Sequence, residues 1–433
     1  MPRIGVRIAV LVAVAAAVGL SALSRGIEYH VPDEYRTLRE ALQAAGTGDT
    51  IVLSTRRAIR ESVTVRNKRQ ITIRAEDTFR RSATVEGRYD DEPVFELINC
   101  RDITFERINI TAREGDDGVR SSAVGITTDN CTDIVLRECA ISAHGGPGVK
   151  GGAITLEECT VSGNLTWGIE LTEGAGMTLI STAVEGNANG GLYIRNATAS
   201  LEQSSFTSNL GYGIVVDGSS SVRFSELGGP SSITGNSRGG ILVKNATFTL
   251  QGNADVRNNQ GVGIEAEDAQ LTVSGAEISG HAGAGVLYRR STGTVSSSSI
   301  VDNTGVGLLV DESSHVSLDG TTVARQGGDG VQVLNGSTLE MSGRALVTEN
   351  RGAGVLADGT VIEVDESTIV SNGASGVRLI HEAAATIADS LVAENLAHGV
   401  AVLASSVTMR GGECRGNAGH GPVSYTHLRA HET

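Results

Sequence analysis

One short motif recurs through most of the chain and limits what the chain can fold into. The motif is Asn-x-x-x-Gly-apolar-x-apolar, with His144, His281 or Gln326 replacing asparagine in three of thirteen copies. Successive copies are 20 to 27 residues apart, most of them 22 or 23. The motif glycines are Gly148, Gly168, Gly191, Gly213, Gly240, Gly263, Gly285, Gly307, Gly330, Gly354, Gly376, Gly399 and Gly421. A period of this length indicates a repeat protein whose units stack on one another.

The apolar residues inside each copy alternate with a period of two, which is typical of strands. Examples are Ile169 and Leu171 after one glycine, and Leu192 and Ile194 after the next. Three short strands per 22 or 23 residues predict one coil of a parallel solenoid, which rises by about 4.8 Å. Parallel connections are nearly always right-handed. We therefore predict an all-β, single-stranded right-handed parallel β-helix.

Two columns of residues predict that the coils stack in register. Four residues after the glycine, six consecutive copies alternate in charge: Arg195, Asp217, Lys244, Glu267, Arg289 and Asp311. Opposite charges on stacked strands attract, so we interpret this column as structural. The asparagines suit a tight turn, and stacked amides can also bond each other from coil to coil. The alternative for the asparagines is a polar binding stripe.

The start of the chain differs from the repeats. Residues 33–45, closed by Gly46, have the pattern of an amphipathic helix, with Tyr35, Leu38 and Leu42 on one face. An open solenoid end exposes strand edges, so we expect this helix to cap the solenoid. The predicted organisation is a cap helix and first strand at 25–53, then the β-helix at 54–422.

The two ends of the sequence do not fit the repeat. Residues 1–24 combine Arg3 and Arg7 with an apolar stretch at 8–20 and small residues near 22–24, which predicts a signal peptide. The alternative is an uncleaved membrane anchor. Residues 423–433 resemble a translated sequencing adapter, so we interpret them as an artefactual tail.

The amino-acid composition disfavours several classes of binding partner. The 433 residues carry a net charge of −15, which disfavours nucleic acid and anionic lipid, and we expect no membrane contact beyond the signal or anchor. A single tryptophan means that stacking surfaces are few. Cys139 and Cys159 hold equivalent positions in adjacent copies, and either a disulfide or two buried thiols fits that placement.

Charged residues cluster in two insertions between residues 88 and 117. We identify Arg88, Arg113 and His144 as catalytic candidates, since arginine can bind a carboxylate and histidine can move a proton. The binding candidates are Asp90, Asp91, Asp116 and Asp117, and the metal candidates are Asp116, Asp117 and Glu114. Such carboxylates suit calcium, the one cofactor we consider. The alternative is a pair of solvated loops.

The position two residues after each glycine is predicted to face outward, yet six of eleven residues there are large and apolar or aromatic. They are Tyr193, Val215, Leu242, Leu287, Leu309 and Leu356. A solvated sheet face is normally polar. Either a partner covers this strip, or it is simply apolar surface.

The repeat, the stretch at 32–53 and the paired Asn-Cys-x-Asp-Ile starts at Asn99 and Asn130 resemble the pectin-lyase-like right-handed parallel β-helix superfamily, especially its CASH-type (carbohydrate-binding and sugar-hydrolase) repeat proteins. The resemblance implies a secreted, periplasmic or cell-surface protein that binds extracellular polysaccharide or a cell-surface partner, without catalysis. One alternative is a calcium-dependent polyuronate lyase or epimerase that uses the loops at 88–148. Another is a structural surface fibre or a periplasmic accessory protein.

Overall fold

Each repeat forms one coil of a parallel β-solenoid in the computed structural model, which describes residues 26–77, 82–88, 91–112, 124–224, 229–252 and 254–424. The chain forms three parallel sheets, called here the first, second and third sheets in chain order, and each coil after Glu28–Val31 contributes one strand to each of them. The predicted all-β solenoid is confirmed. The signal peptide predicted at 1–24 lies outside the described residues.

The first sheet has 17 strands in the described ranges, each hydrogen-bonded to the strands of the coils before and after it. They are Glu28–Val31, Thr50–Leu53, Arg69–Ala75, Arg101–Glu106, Thr132–Arg137, Ile154–Glu157, Gly176–Ile180, Thr198–Glu202, Ser221–Phe224, Thr247–Gln251, Gln270–Ser274, Thr292–Ser296, His315–Asp319, Thr338–Ser342, Val361–Asp365, Ala384–Ala388 and Ser406–Arg410.

The second sheet has 16 described strands, most of them three residues long. They are Ile59–Arg60, Ala83–Glu86, Ile108–Thr111, Ala140–Ser142, Thr160–Ser162, Ala183–Glu185, Ser205–Thr207, Ser232–Thr234, Asp255–Arg257, Glu277–Ser279, Ser299–Val301, Thr322–Ala324, Leu346–Thr348, Thr368–Val370, Leu391–Ala393 and Glu413–Arg415.

The third sheet follows the asparagine turn and also has 16 described strands. They are Val63–Arg66, Phe95–Ile98, Ile126–Asp129, Val149–Lys150, Trp167–Thr172, Gly190–Arg195, Tyr212–Asp217, Gly239–Lys244, Val262–Glu267, Val286–Arg289, Leu308–Asp311, Val331–Leu334, Val355–Asp358, Val377–Ile380, Val400–Leu403 and Pro422–Ser424. The last of these includes two residues of the predicted tail; residues 425–433 lie outside the described ranges.

The single helix of the described ranges, Leu38–Ala44, is shorter than predicted. It begins at Leu38 because the side chain of Thr37 accepts a hydrogen bond from the backbone N–H of Glu40, which satisfies a free donor of the first turn. The predicted helix start at residue 33 is wrong, because the helix begins five residues later. Leu38, Ala41 and Leu42 are buried against the first strands. At 7 residues, the helix is far too short to span a membrane.

Two stacked columns fix the geometry of every coil. The inward aliphatic side chains stack on their counterparts one coil away, as Leu192 does on Ile169 and Ile214. At the turn between the second and third sheets, the Asn187 side-chain amide donates to Asn209 Oδ1 at 3.0 Å, and the Asn209 amide donates to Asn236 Oδ1 at 3.0 Å. These amides are fully buried. The asparagines are therefore structural.

The alternating charges also stack as predicted. Asp217 is in register with Lys244, Lys244 with Glu267, and Glu267 with Arg289. Lys244 and Glu267 form an ion pair of 2.8 Å. Arg289 departs from the expected pairing, since its guanidinium lies 2.7 Å from Glu265.

Candidate functional site

The loops that the sequence singled out are described only in part. Arg88, Asp91 and Glu92 are exposed. Asp90, Arg113, Glu114, Asp116 and Asp117 lie outside the described residues, so the calcium and carboxylate-binding hypotheses stay predictions. Among the residues that are described, no cluster of histidine, cysteine, aspartate or glutamate could hold a metal ion.

His144 is described, and it lies inside the solenoid. Its backbone N–H donates to Asn164 Oδ1 at 3.1 Å, and its ring Nε2 lies 3.1 Å from the carbonyl oxygen of Ile110. The ring is fully buried, and this burial lowers its pKa to about 4. His144 thus occupies the ladder position that asparagine takes in later coils, as the spacing predicted.

All five cysteines are free thiols, and four of them stack in two pairs on adjacent coils. The backbone N–H of Cys100 donates to Cys131 Sγ at 3.3 Å. Cys139 and Cys159 stack in the same column of adjacent coils. The backbone N–H of Thr160, the residue after Cys159, donates to the carbonyl of Cys139. All four side chains are buried. Of the two alternatives left by the sequence, the structure has buried thiols.

The outer face of the third sheet carries a column of mostly apolar side chains. The residues two after each motif glycine form one continuous column, with Glu170 in register with Tyr193 and Tyr193 with Val215. Most of them are partly exposed, as expected for an outward position. Of the six apolar residues that the sequence placed here, Val215 and Leu287 are buried and the other four are partly exposed.

Trp167 begins its strand on this face and stacks on Tyr193 of the next coil. The ring centroids are 5.1 Å apart, and the ring planes differ by 27°. Both side chains are partly exposed. Trp167 is the only tryptophan of the chain. A partly exposed stacked pair is unusual on a sheet face, because large aromatic rings gain most free energy when buried.

A glycine on the next coil leaves the space that each aromatic ring occupies. A Cβ on Gly190 would lie 2.3 Å from Trp167 Cζ3, and a Cβ on Gly239 would lie 2.6 Å from Tyr212 Cε1. Trp167, Gly190, Tyr212 and Gly239 occupy one register position on four successive coils. Aromatic residue and glycine therefore alternate along these four coils.

Two exposed leucines follow the same alternation at the adjacent turn. Leu165 precedes Trp167 by two residues and is 47% exposed; Leu210 precedes Tyr212 by two residues and is 62% exposed. The equivalent residue of the coil between them is Ala188. We name Leu165, Trp167, Tyr193, Leu210 and Tyr212 the aromatic platform.

Two ion pairs lie beside the platform. Lys150 pairs with Glu170 at 3.1 Å, and Arg289 pairs with Glu265 at 2.7 Å. The hydroxyl of Tyr212 also donates to Glu265 at 3.3 Å. Burial, followed by the neighbouring carboxylate of Glu265, raises the pKa of Tyr212. Its hydroxyl is therefore neutral at physiological pH and acts as a hydrogen-bond donor.

The platform was not predicted from the sequence. Tyr193 lies in the column two residues after each glycine, where apolar residues recur, whereas Trp167 and Tyr212 directly precede the glycine, where they do not. The available signal was the pair of Asn-Leu-x-aromatic-Gly segments at 164–168 and 209–213, with Asn-Ala-Asn-Gly-Gly at 187–191 between them.

Comparison with known proteins gives a family and several distant structural likenesses. A family model described as "Right handed beta helix region" matches residues 49–199, 90–227 and 230–362. A comparison with curated proteins gave no match.

Three solved structures illustrate the likenesses. Pectate lyase Pel9A is 14% identical, with a TM-score of 0.39 over 55% of this chain and 72% of that chain. The mannuronan C-5 epimerase AlgE6 A-module of Azotobacter vinelandii is 12% identical, with a TM-score of 0.31 over 90% and 94%. A double mutant of the periplasmic alginate epimerase AlgG is 11% identical, with a TM-score of 0.41 over 85% and 84%. Likenesses at this level indicate nothing about activity or substrate.

Proposed function

The chain belongs to the right-handed β-helix family, and on this basis we propose that it is a secreted, non-catalytic protein that binds extracellular polysaccharide through the aromatic platform. The observation that carries the proposal is the partly exposed stack of Trp167 on Tyr193. A sugar ring has an apolar face of C–H groups, which packs against a flat aromatic ring and removes apolar surface from water.

The polar groups beside the rings support the same function. The Lys150–Glu170 pair and the Tyr212–Glu265–Arg289 network border the platform and carry both donors and acceptors. Binding sites of this kind combine apolar surface with a few fixed polar groups that orient the ligand. Sugar hydroxyls would exchange hydrogen bonds with these groups while the ring face packs on Trp167.

We propose binding without catalysis because the two carboxylates nearest the rings, Glu170 and Glu265, are each paired with a cationic side chain. A general acid or base must reach the substrate with a proton to give or take. Here Glu265 accepts from both Tyr212 and Arg289, and its side chain is only 12% exposed. The calcium-dependent lyase or epimerase remains a separate hypothesis, which rests on the acidic loops that include Asp116 and Asp117.

Secretion is part of the proposal and is supported by the apolar stretch predicted to be a signal at 1–24. The net charge of −15 also suits an extracellular role in which nucleic acid and anionic lipid are not partners.

The test is affinity electrophoresis of the purified protein in gels that contain cellulose derivatives, mannan, xylan, pectate or alginate. We expect at least one polysaccharide to retard the wild-type protein. We expect Trp167→Ala to lose that retardation and Leu356→Ala, a truncation on the same sheet four coils beyond Glu265, to keep it. Retardation by none of these polysaccharides, or retardation that Trp167→Ala leaves unchanged, would refute the proposal.

A further inference from the structure

We propose that the aromatic platform binds a neutral, extended, β-1,4-linked polysaccharide, which lies along the solenoid axis with every second sugar stacked on one of the two ring positions, Trp167 and Tyr212. The inference rests on the proposed function and names the ligand class and orientation that this site would select.

The spacing of the rings is the first argument. Trp167 is in register with Gly190, and Gly190 with Tyr212, so the two aromatic residues are two coils apart. Two strand spacings amount to roughly 9.6 Å. The exposed side chains of Leu165 and Leu210 have the same separation, with Ala188 between them. At these two positions, large apolar side chains therefore recur on the first and third of three coils, while Tyr193 lies in the outward column of the coil between them.

An extended β-1,4-linked chain has a matching repeat. Successive sugars are turned over relative to each other, so that every second sugar presents the same face. One disaccharide unit is close in length to two coils of this solenoid. An α-1,4-linked glucan curves and does not present equivalent faces along a straight line. The alternation of aromatic residue and glycine thus favours the extended chain.

The glycines give the two rings equivalent positions. Gly190 and Gly239 have no Cβ, and the rings of Trp167 and Tyr212 occupy the space where one would be. Each ring therefore extends over the glycine of the next coil. A straight polysaccharide that follows the solenoid axis then meets the two rings in the same way.

The charges of the face favour a neutral ligand over a polyuronate. Along the third sheet, Arg195, Asp217, Lys244 and Glu267 alternate in sign on successive coils. Lys150 and Arg289 are paired with Glu170 and Glu265. Arg238 near Tyr212 is one further cation on this face. A polyanion needs a larger excess of cationic groups than this, and the net charge of −15 opposes its approach.

The experiment is a calorimetric titration with sugars of increasing length. A disaccharide can cover one ring, whereas a trisaccharide can cover both. With cello-, manno- and chito-oligosaccharides as probes, we expect one series to show an affinity increase of about tenfold or more from the disaccharide to the trisaccharide. We expect Tyr212→Ala to remove this increase, and Leu356→Ala to keep it. Maltohexaose and oligogalacturonate should bind at least tenfold more weakly than the neutral β-1,4-linked hexasaccharide.

The outcomes separate the inference from the proposed function. If a polysaccharide binds through Trp167 but the length step is absent, or Tyr212→Ala leaves it unchanged, the inference fails and the proposed function stands. Tighter binding of oligogalacturonate or maltohexaose than of the neutral β-1,4-linked sugars overturns the inference in the same way. If no sugar binding depends on Trp167, both fail.

Discussion

The asparagine turn shows how much of the fold depends on single side chains. Asn209 accepts hydrogen bonds from both the backbone N–H and the side-chain amide of Asn187, each at 3.0 Å. Its own amide donates to the Val184 carbonyl at 3.2 Å and to Asn236 Oδ1 at 3.0 Å. All of these groups are buried, so each depends on the others for its hydrogen bonds.

We expect Asn209→Ala to destabilise the protein by about 2 kcal/mol or more, because it leaves buried donors on Asn187 without an acceptor. Chemical denaturation followed by circular dichroism measures this change. Asn189→Ala is the matched control: Asn189 is exposed, and we expect its loss to alter the unfolding free energy by less than about 0.5 kcal/mol. Equal losses from the two variants would show that the ladder does not stabilise the coils.

Histidine replaces asparagine in the ladder at some coils, and this adds a pH dependence. Asn259 donates its backbone N–H to His281 Nδ1 at 3.2 Å, and His281 Nε2 lies 2.9 Å from the Val256 carbonyl oxygen. Burial lowers the pKa of His281 from 6.5 to about 4. An unfolded histidine therefore takes up a proton at a higher pH than the folded one, and stability falls as the pH drops from about 6.5 to about 4.

We expect His281→Asn to remove one part of this acid sensitivity. The wild-type protein should lose about 3 kcal/mol of stability per buried histidine between these pH values, since the pKa difference is about 2.5 units. The asparagine variant should lose correspondingly less. Thermal unfolding midpoints at pH 7, 5.5 and 4 measure the difference. An identical decline in both proteins would contradict the burial of a neutral imidazole at this position.

At the scale of a strand, the third sheet combines a strict inner pattern with a variable outer face. Inward residues such as Ile214 and Val216 form the core, whereas the outward position of the same strand is free to vary. The inner pattern was therefore readable from sequence. The pairing of Arg289 with Glu265 was not, because a long side chain can reach either neighbour once the backbone register is fixed.

The charge ladder gives a test at this scale. We expect Lys244→Glu to destabilise the protein by about 1 kcal/mol, because it places like charges beside Asp217 and Glu267. Combining it with Glu267→Lys should recover part of the loss by restoring an opposite-charge pair. The melting temperature measures both effects, and added salt should reduce them. Identical melting temperatures for Lys244→Glu and the wild type in low salt would show that stacked charges do not interact.

At the scale of the whole molecule, the predicted right-handed parallel β-helix is confirmed. Periodicity carried this prediction, because the positions of a stacked coil repeat the same physical requirement. The platform was not predicted, because Trp167 and Tyr212 interrupt the repeat at a position that has no requirement of its own. Deviations from a repeat point to function more often than the repeat itself does.

A calcium-dependent lyase or epimerase is the alternative function for the molecule as a whole. If the protein binds polysaccharide without catalysis, calcium should leave the melting temperature unchanged, and pectate and alginate should yield no unsaturated products. Differential scanning fluorimetry with calcium and with chelator, together with absorbance assays of the sugars, tests both points. A calcium-dependent rise in melting temperature accompanied by product formation, both lost in Asp116→Ala/Asp117→Ala, would establish the acidic loops as an active site.

Because Trp167 is the only tryptophan, its fluorescence reports directly on the proposed binding face. Acrylamide quenching, measured with and without a polysaccharide that retards the protein in gels, is the most direct test of the central proposal. We expect acrylamide to quench the free protein readily, and bound polysaccharide to reduce the quenching constant. Unchanged quenching in a protein that is fully bound would place the ligand elsewhere on the solenoid and contradict the account.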